Sequence, residues 1–218
     1  MKRATDIAGA LLGILLLAPL WALIALWIKL DSRGPVFFRL RVAGKDGRPF
    51  EELKFRTMVD GAMEIGLGRE TSATDPRITR AGRWLRRTSL DETPQLLNVL
   101  RGEMSLVGPR ATFLEVAAQY DQRERRRLSV PPGITGLAQV RGRNSISWPE
   151  RVQCDLWYVT HHSYWLDWKI LLETPRALFA RRDIYGPGGQ NRAHKPLPGP
   201  RPAGFPTGVG RSRAAPPA

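Results

Sequence analysis

The sequence predicts a mainly helical α+β protein with an N-terminal membrane helix, a small β-hairpin and a helical soluble domain. Three observations lead to this prediction. Residues 7–28 form a run without a charged side chain, the stretch from Val36 to Lys54 alternates around a turn signal, and later segments carry helix-start signals. The chain has 218 residues and is 42% hydrophobic, which is enough for a packed core.

The apolar run at residues 7–28 is 22 residues long, and a helix of roughly 20 apolar residues can cross a bilayer. Pro19 lies near its middle, where a proline removes a backbone donor and clashes with the preceding turn, so we expect a break there. Basic residues flank both ends, with the larger excess downstream, which favours a cytoplasmic soluble domain. The run fits a re-entrant helix that returns to the same face, and on these grounds a single kinked span is equally acceptable.

Composition divides the chain into a membrane-associated helix at 1–30, a soluble domain at 31–184 and a tail at 185–218. The 34 residues of the tail include 8 prolines, 7 glycines, five basic residues and no acidic residue, so we expect it to be disordered. Without those five charges, the net charge of +14 falls to +9, so the basic character belongs to the folded part. This charge implies an anionic partner: a nucleic acid, a phosphorylated small molecule or an anionic membrane surface.

The soluble domain is expected to begin with a β-hairpin from Val36 to Lys54, because the alternating pattern encloses a Lys-Asp-Gly turn. Helices are expected at 79–104, 112–128, 147–161 and from Trp165 to near Phe179. The third of these begins with a serine cap followed by a first-turn proline and glutamate. The arginines at 123, 125, 126 and 127 are expected to contact anionic headgroups or face water. The single cysteine excludes a disulfide scaffold and a cysteine-rich zinc site.

The adjacent acids Asp91 and Glu92 allow two interpretations, one structural and one functional. Ser89 and Glu92 match the S-x-x-E capping pattern ahead of a helical segment, so the pair can be purely structural. Alternatively, two carboxylates at a helix start can bind a hard cation such as Mg²⁺ together with phosphate oxygens. An ionised aspartate in that setting can attack phosphorus. The basic residues Lys54, Arg56, Arg86, Arg110 and Arg143 would suit a diphosphate held by forked donors and by nearby turn glycines.

Several blocks in order resemble the bacterial sugar transferases, the small monotopic polyprenyl-phosphate phosphoglycosyl transferases. The resemblance covers about residues 1–182. The blocks are KRATDIAGALLGILLLAPL, DSRGPVFF, KFRTM, DPRITRAGRWLRRTSLDETPQLLNVLRGEMSLVGPR, PGITGLAQVRGRN and DLWYV followed by SYWLDWKILLET. The long central block is highly specific. The resemblance implies a re-entrant membrane helix and a catalytic domain on the cytoplasmic face of the bacterial inner membrane.

The activity that the resemblance implies is transfer of a sugar phosphate from a nucleotide diphosphosugar, such as a UDP-sugar, to polyprenyl phosphate with Mg²⁺. This step would begin the assembly of an exopolysaccharide, an O-antigen or another glycoconjugate. By motif match, Asp91 is the nucleophile, and Glu92 either helps Asp91 hold Mg²⁺ or positions the lipid phosphate. The same match makes Arg86, Arg110 and Arg143 phosphate-binding candidates and places Lys54 and Arg56 near the donor.

Four positions depart from the pattern of the family. Leu40 and Val42 stand where glutamine and arginine are common, Ala111 replaces a proline, and Thr93 replaces a leucine after the acids. These changes bear on donor preference more than on the reaction. A nucleic acid is not expected as a partner of such an enzyme, and an oligomer is compatible with the sequence. The alternative from another class is a membrane-tethered basic module that binds nucleic acid or anionic lipid without catalysis.

Overall fold

One long helix lies along a domain of short helices and two small sheets in the computed structural model. The structure describes residues 1–65, 71–72, 74–142 and 145–179. The tail predicted at 185–218 lies outside the described residues, as does Arg143.

Helix α1 (Lys2–Asp31) is long and apolar enough to cross a membrane. One face is buried against the domain at Asp6, Ala10, Ile24 and Ile28. The opposite face exposes a row of apolar side chains, including Leu11, Leu12, Leu15, Leu16, Leu23 and Leu26. This exposed apolar face distinguishes α1 from the core helix of a soluble protein.

The break expected at Pro19 is absent, because α1 continues through this residue without interruption. A proline in a helix interior costs about 3 kcal/mol relative to alanine. Pro19 lies on the exposed face, while the helix segments on either side of it pack on the same domain. We attribute the continuity of α1 to this packing, which outweighs the local cost.

Both ends of α1 are attached to the domain by polar contacts. At the N-terminal end, the Lys2 ammonium donates to Asp167 Oδ2 at 2.6 Å and to the carbonyl of Val107 at 3.0 Å. At the C-terminal end, Asp31 Oδ2 accepts a hydrogen bond from the Ala81 amide at 2.8 Å. The two ends therefore lie against the same domain.

The predicted hairpin is confirmed. Strands β1 (Phe37–Ala43) and β2 (Pro49–Phe55) pair antiparallel, from Phe37 opposite Phe55 to Ala43 opposite Pro49. The turn is a short 3₁₀ segment, Lys45–Gly47, in which Asp46 takes a left-handed conformation with φ of 57°. The two-residue strand β4 (Thr112–Phe113) pairs with the other edge of β1, so the sheet order is β2-β1-β4.

The helical character expected at 79–104 is confirmed, but it is divided between two helices and a short turn. Helix α2 (Arg80–Thr88) ends at Ser89, which has a φ of 57° and cannot continue a right-handed helix. A 3₁₀ turn, Leu90–Glu92, follows and leads into helix α3 (Gln95–Arg101). Ser89 makes no side-chain capping bond here, so the capping interpretation of this motif is wrong.

Beyond α3, strands β3 (Ser105–Val107) and β5 (Gly133–Thr135) form a parallel pair. A Cβ on Gly133 would lie 2.0 Å from the amide nitrogen of Gly108, so the glycine permits this close backbone approach. The loop after β3 begins at Gly108 and brings Arg110 to Glu92 in the 3₁₀ turn Leu90–Glu92, here called the acid turn.

The helix expected at 112–128 is also wrong as a continuous element. Its residues form β4, helices α4 (Leu114–Ala118) and α5 (Gln122–Arg125), and a 3₁₀ segment, Arg126–Ser129. Asp121 interrupts the segment as the N-cap of α5, with Glu124 completing a capping box. The expected helices near the end of the chain are confirmed as α7 (Trp148–His161) and α8 (Tyr164–Phe179), preceded by the short α6 (Leu137–Arg141).

Two of the hydrophobic clusters that form the core pack against α1. Ile24 and Ile28 pack with Phe55, Ala81 and Leu85 from β2 and α2. Nearer the N-terminus of α1, Ala10 packs with Leu96, Val99 and Met104 from α3 and the residues after it. The 3₁₀ turn that carries Asp91 and Glu92 connects α2 to α3, so the acids follow directly on the elements that hold α1.

Candidate active site

The 3₁₀ turn Leu90–Glu92 places the Glu92 carboxylate between two basic side chains. The Arg110 guanidinium donates to both oxygens of Glu92, in a bidentate contact whose Nη1–Oε2 distance is 3.1 Å. The Lys54 ammonium at the end of β2 donates to Glu92 Oε1 at 3.3 Å. Burial alone would raise the pKa of Glu92, but the charges of Arg110 and Lys54 outweigh it and hold the pKa well below its usual range. Glu92 is therefore ionised.

Asp91 is in a different electrostatic position from its neighbour. Among the described residues, none donates a hydrogen bond to its carboxylate. Burial raises the pKa of Asp91 to about 6, and the negative charge of Glu92 acts in the same direction. Lys54, Arg86 and Arg110 oppose the rise. Above this pKa the group is ionised, and no residue that the structure describes occupies its oxygens.

A third carboxylate, Glu52, completes the cluster. Glu52 Oε2 lies 3.2 Å from the Lys54 ammonium, and Glu52 Oε1 accepts a hydrogen bond from Gln95 Nε2 at 3.0 Å. Glu52 and Gln95 are almost fully buried, with 4% and 1% of their surface exposed. Lys54 is therefore shared between Glu52 and Glu92, and these two charges keep its pKa raised despite the opposing effect of burial.

Arg86 is near the acids but makes its direct contact elsewhere. It lies in the last turn of α2, and its Nε donates to Thr57 Oγ1 at 2.9 Å. Its charge nevertheless lowers the pKa of Asp91, which places it within electrostatic range of that carboxylate. The structure therefore brings together Lys54, Arg86, Asp91, Glu92 and Arg110 from the set predicted by the sequence.

Arg56 is used differently. Its guanidinium donates to the carbonyl oxygens of Ser32 and Arg33, just after α1, with a distance of 2.9 Å to Ser32. It is 5% exposed, and its charge is not among those acting on Asp91. In this structure Arg56 therefore binds the backbone just after α1 and is not part of the cluster around the acid turn.

Sequence reasoning missed Glu52, Gln95 and Thr57. A signal for Glu52 was available, because residues two apart on a strand share a face and Glu52 is two residues before Lys54 on β2. Gln95 and Thr57 come together with the site only through the packing of α3 and α2 on β2. Their positions depend on tertiary contacts that the local pattern does not reveal.

The donor set fits a magnesium ion that is completed by substrate. Two adjacent carboxylates are available, and the described residues contain no group of three or more metal-ligating side chains. Mg²⁺ is commonly held by one or two carboxylates together with waters and substrate phosphates. The oxygens of Asp91, which accept no hydrogen bond from the described residues, suit such a site. Glu92 Oε1 accepts from both Lys54 and Arg110, but Oε2 accepts from Arg110 alone among the described residues and keeps a lone pair for an ion.

Comparison with known proteins gives a consistent result. The family model described as bacterial sugar transferase matches residues 1–181. The chain is 47% identical to an undecaprenyl-phosphate glucose phosphotransferase of Komagataeibacter xylinus, over 83% of the chain and 36% of the relative. It is 44% identical to a UDP-glucose:undecaprenyl-phosphate glucose-1-phosphate transferase of Caulobacter vibrioides, over 84% of the chain and 72% of the relative.

A shorter relative matches over most of its length. The chain is 39% identical to the uncharacterized sugar transferase EpsL of Bacillus subtilis, over 84% of the chain and 90% of that protein. The chain thus spans about a third of the first relative and nearly all of this one.

Proposed function

The chain belongs to the bacterial sugar transferase family, and on this premise we propose that it transfers a sugar phosphate from a nucleotide diphosphosugar to a polyprenyl phosphate. Relatives are named for UDP-glucose and undecaprenyl phosphate, which supports a UDP-sugar and this lipid as substrates. The observation that carries the proposal is the difference between the two acids. Glu92 is neutralised by two cations, while the Asp91 carboxylate accepts no hydrogen bond from the described residues and is ionised above its pKa of about 6.

In the first step, an Asp91 oxygen attacks the phosphorus that carries the sugar. A new oxygen–phosphorus bond forms, and the bond to the bridging oxygen of the diphosphate breaks. The electron pair leaves with the nucleoside monophosphate, and the sugar phosphate remains on Asp91 as an acyl phosphate. The cations around the turn would stabilise the charge that develops on the phosphoryl oxygens.

In the second step, an oxygen of the polyprenyl phosphate attacks the same phosphorus. The bond to Asp91 breaks, the carboxylate is regenerated, and a polyprenyl diphosphate sugar is released. Arg110 and Lys54 hold Glu92 beside Asp91, so Glu92 is suited to orient the incoming phosphate or to share a metal ion. A product of this kind would start an exopolysaccharide or a related envelope glycan.

The donor diphosphate would be bound by Lys54, Arg86 and Arg110. These side chains converge electrostatically on Asp91. Arg143 keeps its place among the candidates through its sequence motif alone. Arg56 is left out of this donor site, because its guanidinium already binds carbonyl groups at the end of α1.

Asp91 and Glu92 would also hold Mg²⁺, with the diphosphate oxygens as further ligands. The ion would supply neutralisation of the diphosphate charge and orientation of the phosphorus. The same carboxylates could not bind a diphosphate well without such a cation, because like charges repel.

We further propose that α1 anchors the enzyme in the bacterial cytoplasmic membrane, with its N-terminus and the catalytic domain both on the cytoplasmic side. The contacts at Lys2 and at Asp31 attach both ends to one domain, which supports a helix whose ends share one side. Its outer apolar face would be covered by lipid.

The proposed nucleophile can be tested by intact-protein mass spectrometry. The protein is incubated with a UDP-sugar and Mg²⁺, without lipid acceptor. We expect a mass increase of one sugar phosphate in the wild type and none in Asp91→Asn, because an amide oxygen is a far weaker nucleophile. Turnover of Asp91→Asn should fall by several orders of magnitude.

Asp46→Asn is the matched control, since Asp46 is exposed in the hairpin turn and asparagine tolerates its left-handed conformation. It should form the adduct as the wild type does. An adduct that persists on Asp91→Asn would place the nucleophile elsewhere, with Glu92 as the next candidate. Salt-sensitive binding of nucleic acid, without release of monophosphate from any sugar nucleotide, would instead favour the non-catalytic basic module.

A further inference from the structure

The turn that carries the two acids is attached to the membrane helix at both of its ends. Leu90, its first residue, packs on the cluster formed by Ile24, Ile28 and Phe55. Thr93, the residue after Glu92, accepts a hydrogen bond from the indole nitrogen of Trp21 at 3.0 Å. Between these attachments, Glu92 accepts hydrogen bonds from Lys54 and Arg110, and Asp91 lies beside it in the turn.

The hydroxyl of Thr93 links this contact back into the turn. While its oxygen accepts from Trp21 Nε1, its own proton is donated to the carbonyl of Leu90 at 2.8 Å. A hydroxyl that donates and accepts at once is polarised in both bonds, which strengthens the chain. We call these two hydrogen bonds, from Trp21 to Thr93 and from Thr93 to Leu90, the relay. The relay connects the 3₁₀ turn to a side chain of α1.

Trp21 also contacts the strand that carries Lys54. Its ring packs edge-on against Phe55, with 5.9 Å between the ring centroids, and Phe55 is fully buried next to Lys54 in β2. One side chain of α1 therefore contacts side chains of both the 3₁₀ turn that carries Glu92 and strand β2, which carries Lys54. A leucine at position 93 would offer no acceptor to the indole, so the relay depends on a residue in which this chain departs from the common family pattern.

We propose that Trp21 is a positioning residue, which holds the Asp91–Glu92 turn in its reactive geometry through the hydroxyl of Thr93. Trp21 does not touch the reacting atoms; it acts through Thr93 and Phe55. A displaced nucleophile loses rate steeply, whereas the basic side chains that bind the donor belong to other elements. The proposal rests on the proposed function for its kinetic readout.

The test compares four variants of the full chain in lipid nanodiscs: Trp21→Phe, Thr93→Val, Thr93→Ser and the double variant Trp21→Phe/Thr93→Val. Phenylalanine keeps the ring packing on Phe55 but removes the indole donor, and valine keeps the shape of threonine but removes the hydroxyl. Monophosphate release is measured over a range of UDP-sugar concentrations. Trp157→Phe, at an exposed tryptophan of α7, is the control.

We expect Trp21→Phe and Thr93→Val each to lower kcat about ten-fold, with the donor KM within about two-fold of wild type. Thr93→Ser restores the hydroxyl and should retain nearly full kcat. The double variant should be no slower than Thr93→Val, because both changes break the same relay. Thr93→Ser as slow as Thr93→Val, or unchanged kcat in Trp21→Phe and Thr93→Val, would overturn the proposal.

Hydrogen exchange gives a second readout that does not need activity. The amides of Glu92 and Thr93 donate to the carbonyls of Ser89 and Leu90 within the turn. They should exchange faster in Trp21→Phe and Thr93→Val, and at the wild-type rate in Thr93→Ser and Trp157→Phe. Unchanged exchange in the first two would reject the relay. A wild type that releases no monophosphate would reject the proposed function while the exchange data still decide the relay.

Discussion

Glu52 and Glu92 both contact the Lys54 ammonium, at 3.2 and 3.3 Å. The cluster of Lys54, Arg86 and Arg110 with Glu52, Asp91 and Glu92 is neutral when all six groups are ionised. A neutral cluster can be largely desolvated without leaving an unpaired charge. However, a diphosphate must compete with the carboxylates of Glu52 and Glu92 for the Lys54 ammonium.

Two substitutions in this cluster should have opposite effects on donor binding. Glu52→Gln removes one competitor for Lys54, so we expect uridine diphosphate with Mg²⁺ to bind about two- to five-fold more tightly. Lys54→Met removes the cation and should weaken binding by about ten-fold. Isothermal titration calorimetry measures both dissociation constants, with Asp46→Asn as an unchanged control. Weaker binding by Glu52→Gln would show that Glu52 orients Lys54 for the donor.

Adjacent acids on one turn need not share a proton affinity. Glu92 meets Arg110 and Lys54 directly, so its pKa falls, while Asp91 meets neither and has its pKa raised to about 6 by burial and by Glu92. The sequence identified both residues through the family motif. Their different roles depend on which carboxylate oxygens already accept hydrogen bonds. Those bonds come from Lys54 on β2 and Arg110 on the loop after β3, and the positions of these elements follow from the tertiary fold.

At the level of secondary structure, the elements with strong local signals were predictable. The hairpin has an alternating pattern and a turn sequence, and α7 has the capping box at Ser147 and Glu150 that the sequence indicates. Their formation depends on neighbours in the chain. The continuity of α1 through Pro19 could not be predicted, because it depends on packing against α2 and α3.

The segment around Ser89 shows why the centre of the site was harder to predict. Its sequence has helical periodicity, yet Ser89 adopts φ of 57° and splits the segment into α2, the acid turn and α3. Leu90 and Thr93 are fixed by contacts with α1, more than sixty residues earlier in the chain. Such long-range contacts override local propensity.

The arginine run is a second example. Arg127 was expected at a surface but is 3% exposed, where its Nε donates to Asp155 at 2.8 Å and its guanidinium lies over the rings of Tyr120 and Trp148. Nothing local marks Arg127 among its basic neighbours. Its partner Asp155 lies on α7, so only the tertiary fold selects which arginine is buried.

For the whole molecule, the attachment of both ends of α1 leads to a topological prediction. Cysteines are placed at exposed Ala4 before the apolar run and at exposed Lys45 in the hairpin turn, in a Cys154→Ser background. A membrane-impermeant maleimide should label neither site in intact spheroplasts and both sites in inside-out vesicles. Labelling of position 4 but not of position 45 in spheroplasts would mean that α1 spans the membrane.

Lys2 is far in sequence from the residues that it contacts, and this separation affects the order of events during translation. Lys2 is translated 105 residues before Val107 and 165 residues before Asp167. At roughly 5–20 residues per second, the delay is on the order of ten seconds. During this time the apolar side chains of α1 are not yet covered by the completed domain. We therefore expect the nascent helix to enter lipid early, so that chains arrested near residue 100 already sediment with membranes. Arrested chains that stay in the ribosome supernatant would mean that the completed domain delivers α1 to the bilayer.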